Sequence, residues 1–459
     1  MEYRIEKDML GEKQIPADKY WGIHTQRAIE NFPSSGWPVS GELIRAIVTV
    51  KKAACLANLE TGYLSADKAK TIVAACDEVL EGKLLGEWPI DALQGGAGTS
   101  TNMMVNEVLA NRAIELSGGR KGQYERVHPI EDVNMHQSTN DVYPTAVKIA
   151  AILGFKALSD AAEKLQGAFQ SKEKEFVGIV KIGRTELQEA VPMTLGAEFG
   201  AFAEAFARDR WRTFKCEERL RVVNLGGTAI GTGLGAPQRY IFLVTEKLRE
   251  ITGLGLSASE NRVDTTANSD PFVEVSGILK AHASNLIKIA EDLRRMALLG
   301  EIRIAAVQAG SSIMPGKVNP VILEAVIQSG IQAIANDLMI TETTSRSTFQ
   351  INEFMPLLAH ALLGSLKLLT NACGIFERCV QGIQALPEAC QHHADISETI
   401  VTAFLPSMGY EKAGALLKEF HASDQKNLRE FLETKLGKDL VKKVLSPQSL
   451  LSLGYQDHG

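Results

Sequence analysis

The chain is poor in cysteine, in aromatic residues and in net charge, and each shortage closes off a class of protein. Its six cysteines, Cys55, Cys76, Cys216, Cys373, Cys379 and Cys390, are scattered over 459 residues without a C-x-x-C pair. That spacing argues against a disulfide framework or a zinc site, and mostly apolar, helical surroundings predict reduced core thiols. Aromatics make up 6% and the formal charge at pH 7 is only −6, a balance that gives no reason to expect nucleic acid or an anionic membrane as partner. No uninterrupted apolar run approaches the roughly 18 residues of a membrane span. Met1 to Glu12 is of mixed charge and lacks the apolar core of a signal peptide, so a cytoplasmic protein is expected. His392-His393 with Asp395 is a metal-like string, but without a second cluster or HExxH spacing it reads as a polar helix start, and no metal or cofactor is expected.

What is present is material for a large core, 45% hydrophobic and 23% charged residues over a length that as a prior allows about three domains. Apolar residues recur at three- and four-residue steps over 41–60 and 64–82. Long helices are also predicted over 145–180, 189–222, 271–299, 321–342 and 355–382. In 271–299, Val275, Ile289 and Met296 share one heptad position and Leu279, Leu286 and Leu293 another, with His282 in the remaining slot of the first series. This is a bundle seam opened by Pro271, and His282 is expected to be a satisfied core histidine. Strand-like alternation is confined to short pieces such as Tyr3–Ile5 and Phe176–Ile182. Long helices without a Rossmann alternation predict a mainly α protein built on a helical bundle. The expected boundaries are 1–140 for a mostly helical N-terminal domain, 141–386 for the central bundle and 387–459 for a small C-terminal domain.

Four polar clusters interrupt these helices. The first, Gly95-Gly96-Ala97-Gly98-Thr99-Ser100-Thr101-Asn102, lets backbone approach a ligand and supplies hydroxyl donors. A Gly-rich turn with a Ser/Thr cap before a helix at Met103–Leu116 accounts for it equally well. The second is Gln137-Ser138-Thr139-Asn140-Asp141 with Pro144 beyond, again compatible with a capped helix start. The third, Gly183-Arg184-Thr185-Glu186-Leu187-Gln188, sits between a short apolar run and a long helix, where Arg184 has the option of pairing with a helix acid. The fourth is Gly310-Ser311-Ser312-Ile313-Met314-Pro315-Gly316-Lys317-Val318-Asn319-Pro320, a composition that only a loop accommodates. It is not a Walker phosphate loop, because five residues separate Gly310 from Gly316 and Val318, not Ser or Thr, follows Lys317.

This loop resembles the GSSxMPxKxNP signature of the aspartase/fumarase superfamily, and the other three clusters match that superfamily's active-site regions in order and separation. The resemblance covers nearly the whole chain. It implies a three-domain fold with a central five-helix bundle, a homotetramer with a twenty-helix core, and active sites shared between subunits. It further implies anti elimination on a succinyl skeleton through an aci-carboxylate, with fumarate released and no cofactor. Such a reaction needs a base and preorganised donors around a developing dianion. By residue-wise match Ser311 is the base; its hydroxyl has to be ionised by backbone N–H groups and a nearby cation in a site closed to water. Lys317 and Asn319, assisted by Thr185, match the residues that hold one substrate carboxylate. Thr99, Ser138, Thr139 and Ser312 match those that hold the other, and Asn140, with Thr99, those that meet the leaving amine.

Three places resemble the aspartase branch: the N-terminal block from Arg4-Ile5-Glu6 through His24 to Arg27-Ala28, Gly96–Ser100, and Thr139 after Ser138. Release of ammonia from L-aspartate is therefore the leading expectation. A fumarase, a lyase acting on an N-substituted aspartate and a non-catalytic structural relative are the alternatives. Three departures stand out. Glu186 occupies a position that is His, or Gln in some aspartases, and that pairs in the family with the residue matched by Glu324. Two facing carboxylates repel unless one is protonated or a cation intervenes. An ionised Glu186 would favour a substrate ammonium; a surface-pointing Glu186 would have no role. The stretch Gly300–Arg303 runs into Gln308-Ala309-Gly310 sooner than is usual in the family. Leu405-Pro406 replaces the usual Asn-Pro. His128-Pro129 matches a second anion-binding segment, which leaves effector control open.

Overall fold

A computed structural model describes residues 2–452, 454 and 455. The chain is mainly helical, as expected, with four small two-stranded sheets among the described residues. It divides into two compact units. One comprises residues 1–158, 212–281 and 332–369; the other comprises 159–211, 282–331 and 370–459. These divisions fall inside long helices.

The long helices span Gly41–Glu60, Thr139–Glu175, Leu195–Leu220, Asp270–Leu298, Val321–Ser345 and Met355–Gln381. In Asp270–Leu298 the heptad reading holds. Val275, Leu279, His282, Leu286, Ile289, Leu293 and Met296 are all buried, so the seam is the helix's inner face. His282 is satisfied as predicted: Nδ1 lies 2.9 Å from Asp209 Oδ2 and Nε2 3.3 Å from Cys373 Sγ. All six cysteines are free and buried. Phe169 packs in the same unit against Phe199, Phe202, Phe206 and Phe376, with ring centroids 5.5–5.9 Å apart. Residues 400–445 bury a separate small cluster around Phe404, Leu428, Phe431 and Leu432.

Two windows, in Thr139–Glu175 and Met355–Gln381, are long and apolar enough on average to cross a membrane, although neither is an uninterrupted apolar run. They are 67% and 56% buried, as core helices are.

Three local expectations change. The helix expected over 189–222 begins only at Leu195, because Gln188–Thr194 is a strand paired with Val180–Thr185. Pro192 has no N–H for a helix, and an edge strand tolerates it. The 145–180 helix starts earlier, at Thr139, and carries Pro144 inside it. His392, His393 and Asp395 lie near the end of the Pro387–Ile396 helix, not at its start.

Candidate active site

The first two clusters meet in one unit. The helix expected from Met103 begins at Thr99, so Thr99–Asn102 form its first turn. Its N-cap is Gly98, left-handed at φ 91° and without a side-chain cap, where a Ser/Thr cap was anticipated. A Cβ there would strike the Tyr143 ring, so only glycine allows this turn. Asn102 Nδ2 donates to Thr139 Oγ1 at 3.2 Å and to Asn134 Oδ1 at 3.1 Å. These bonds join the 95–102 turn to the start of the Thr139–Glu175 helix.

That helix start is a capped one, with additional ties. The Ser138 Oγ accepts from Asn140 N at 3.2 Å, while Asp141 Oδ1 accepts from Ser138 N at 3.0 Å. Pro144 cannot donate to the Asn140 carbonyl four residues earlier. Asn224 Nδ2 fills the vacancy at 3.0 Å. Asn140 Nδ2 donates in turn to the Ala229 carbonyl at 2.7 Å, and Asp141 Oδ2 accepts from Gly226 N and Thr228 N at 3.1 and 3.0 Å. The carbonyl freed by a proline that would ordinarily weaken a helix thus helps seat the Asn224–Gly233 segment against Asn140 and Asp141.

Lys51, which the sequence reading missed, lies beneath this start. It is fully buried and donates to Asn134 Oδ1 at 2.7 Å and Gln137 Oε1 at 3.0 Å. Its only sequence signal was a lysine amid the apolar face of 41–60. Burial pushes its ammonium down to about 7, against the pull of the Asp141 charge. Burial likewise pushes Asp141 up to about 6, against its backbone hydrogen bonds and Lys51. The unfolded chain holds the Lys51 proton up to its ordinary 10.5, so between pH 7 and 10 it binds more protons there than the folded chain does. The Lys51 contribution therefore raises stability as pH rises through that window. We expect Lys51→Met to flatten this part of the stability–pH curve in denaturant titrations; an unchanged slope would contradict the assignment.

The third and fourth clusters belong to the other unit. Glu186 and Leu187 form the two-residue turn between the strands Val180–Thr185 and Gln188–Thr194, and both have positive φ, 51° and 64°. This hairpin turn normally takes Asn-Gly or Gly-Gly, and bulky residues there carry strain of a kind that concentrates at functional sites. Thr185 and Glu186 are exposed, and Glu186 makes no hydrogen bond or ion pair with the described residues. The group beside Glu324 is Arg294, 3.9 Å away. Arg184 does not pair with a helix acid. It meets Glu301, at 2.5 Å, just beyond the Asp270–Leu298 helix. Glu301 is fully buried and also lies 2.8 Å from Lys181. Burial alone would raise its carboxyl; the two cations hold it below its ordinary value.

The 310–320 segment is the loop its composition demanded. Gly310 N donates to the Lys317 carbonyl at 2.8 Å, and Asn319 Nδ2 to the Gly310 carbonyl at 2.9 Å. A Cβ on Gly310 would lie 2.6 Å from the Lys317 carbonyl oxygen, so glycine is required for this closure. Ser311 Oγ accepts from Ile313 N at 3.2 Å and Met314 N at 2.9 Å. These are local bonds of the loop's own turn, and they place two backbone N–H donors on the hydroxyl oxygen. Ser312 and Lys317 are exposed, and their side chains make no hydrogen bond or ion pair with the described residues.

The family model described as Lyase matches residues 11–335. An aspartate ammonia-lyase from a Bacillus species is 44% identical, covering 98% of both chains. The Escherichia coli K12 aspartate ammonia-lyase is 42% identical over 99% of this chain and 97% of its own. A Brucella melitensis structure described as fumarate lyase:delta crystallin bound to cobalt superposes with a TM-score of 0.94 at 45% identity, covering 98% of this chain and all of the other. A class II fumarase from Schistosoma mansoni gives 0.89 at 29% identity, covering 97% and 98%. With a family model over most of its length and full-length relatives at this identity, the chain belongs to the lyase family of the aspartase/fumarase superfamily.

Proposed function

We propose that the chain is a carbon–nitrogen lyase that converts L-aspartate reversibly to fumarate and ammonia, with Ser311 as base. The observation that carries the chemistry is the pair of backbone N–H groups on Ser311 Oγ, within a chain 42–44% identical to aspartate ammonia-lyases along nearly its whole length. The alkoxide takes the proton from the carbon next to the side-chain carboxylate, giving an aci-carboxylate. The electron pair left on that carbon then forms the double bond as the C–N bond breaks, and ammonia leaves with the C–N pair.

Lys317, Asn319 and Thr185 clamp one carboxylate in this reading, and Thr99, Ser138, Thr139 and Ser312 the other. Asn140 and Thr99 face the amine. The exposure of Thr99, Thr185, Ser312 and Lys317 in a single chain favours sites completed by neighbouring subunits of a homotetramer. The domains 1–140, 141–386 and 387–459 belong to the same reading, as does a cytoplasmic location. The sequence identity to the fumarase is lower, 29%, which ranks hydration of fumarate second.

Purified protein given L-aspartate should produce fumarate, followed by its ultraviolet absorbance. Malate and N-substituted aspartates are assayed in parallel as alternative substrates. Release of fumarate from malate or an N-substituted aspartate, but none from aspartate, would overturn the ammonia-lyase assignment. Glu186→Gln addresses the departure at the hairpin tip. A carboxylate that reads the substrate ammonium predicts a larger loss of aspartate binding than of fumarate binding. Equal losses would leave Glu186 without that role.

A further inference from the structure

A cavity of about 670 Å³ lies at the foot of the 310–320 loop, within one unit, and its lining includes Arg294, Arg295, Arg303, Glu291, Val318 and Asn319. Its size is that of an ordinary small-molecule pocket. It opens where the chain turns out of the Asp270–Leu298 helix, the stretch whose brevity stood out in the sequence. Arg294 and Arg295 share Glu291, at 2.8 and 3.5 Å; Asp292 meets Arg295 at 3.2 Å and Glu324 meets Arg294 at 3.9 Å. These three acids balance the three arginines in formal charge, but all of their pairs fall on Arg294 and Arg295 and none on Arg303. Arg303 stands on the short strand Ile302–Arg303, and its guanidinium is exposed and makes no hydrogen bond or ion pair with the described residues. An unpaired guanidinium at a cavity wall is a planar fork suited to a carboxylate or phosphate. Arg294 and Arg295 are half-exposed and available to a second anionic group.

We propose that this cavity binds a small dianion, a dicarboxylate or a phosphate, with Arg303 as its main anchor. Val318, Asn319 and Pro320 also line the cavity, and Asn319 Nδ2 holds the Gly310 carbonyl. A bound dianion would thus brace the end of the loop whose other end carries Ser311. The binding does not rest on the reaction assigned above; only its influence on turnover does.

Calorimetric titration of the full-length protein with succinate and with inorganic phosphate tests this, in wild type, Arg303→Ser and Arg303→Lys. We expect Arg303→Ser to remove one class of binding or weaken it at least about tenfold, the loss of a bidentate charge-assisted pair. Arg303→Lys should retain part of the affinity. Arg303→Ser should keep the kcat for aspartate measured without added anion. Hydrogen exchange at Val318 and Asn319 should slow when the anion binds to wild type and not to Arg303→Ser. Arg303-dependent binding of phosphate but not succinate supports the site and assigns it to phosphate. Identical titrations of both anions in wild type and Arg303→Ser overturn the proposal, whatever the activity assays show.

Discussion

Ser311→Ala should lower kcat for aspartate by about 10²–10⁴-fold, the usual contribution of a positioned proton-transfer group. The hydroxyl is the acceptor for Ile313 N and Met314 N, so the substitution also releases two backbone donors. The surrounding loop is exposed, water can satisfy those donors, and the cost in loop order is small, roughly 0.5–1.5 kcal/mol. The Gly310–Lys317 and Asn319–Gly310 bonds that close the loop do not involve the hydroxyl. Fumarate affinity should therefore change little while turnover collapses. A variant that keeps kcat near wild type removes Ser311 as base. Parallel losses of kcat and fumarate binding would instead assign the serine to loop shape.

Glu301→Gln should cause the largest loss of stability. The glutamine keeps the shape but not the charge, and Glu301 sits 2.5 Å from Arg184 and 2.8 Å from Lys181 at zero exposure. Breaking a buried pair from one side costs about 3–5 kcal/mol, because the partner charge stays buried. Lys181 retains Glu198 at 2.5 Å, which favours the lower end. With roughly 2–4 °C per kcal/mol for a unit of this size, the thermal transition should fall by roughly 6–12 °C. The folded carboxyl lies below its ordinary 4.5, so its contribution is present above that pH and is lost on acidification. The gap between wild type and variant should therefore narrow below pH 4.5. Glu342→Gln, which breaks the exposed pair with Arg346, is the control and should change stability by less than about 1 kcal/mol. Similar shifts for the two variants would refute the buried network as a stabilising element. The same network anchors Arg184, next to Thr185 and the strained Glu186-Leu187 turn, so loss of Glu301 should also loosen the hairpin tip.

The long helices, the buried seam from Val275 to Met296, and the 310–320 loop were legible in the residues. Their signals are local: apolar periodicity selects a helix face, and glycines and prolines forbid one. The residues that resembled a base and a carboxylate clamp were legible for the same reason, since a short string of unusual composition carries them. The tertiary structure decided what those strings touch. Gln188–Thr194 is a strand because Val180–Thr185 lies beside it, and helical periodicity within one segment cannot report a partner strand. The Asn140 carbonyl left unpaired by Pro144 is taken by Asn224, 84 residues away, and Arg184 is neutralised by Glu301 across 117 residues. Lys51 acquired its place under Ser138–Asp141 only through burial, which composition does not predict for a lysine. Hydrogen bonds and ion pairs between distant segments depend on which side chains the packed backbone brings within about 3 Å of one another. One-dimensional patterning therefore located most of the long helices and marked 310–320 as a loop of unusual composition. Three-dimensional packing settled their partners, their charge environment and the arginine-lined cavity beside the loop.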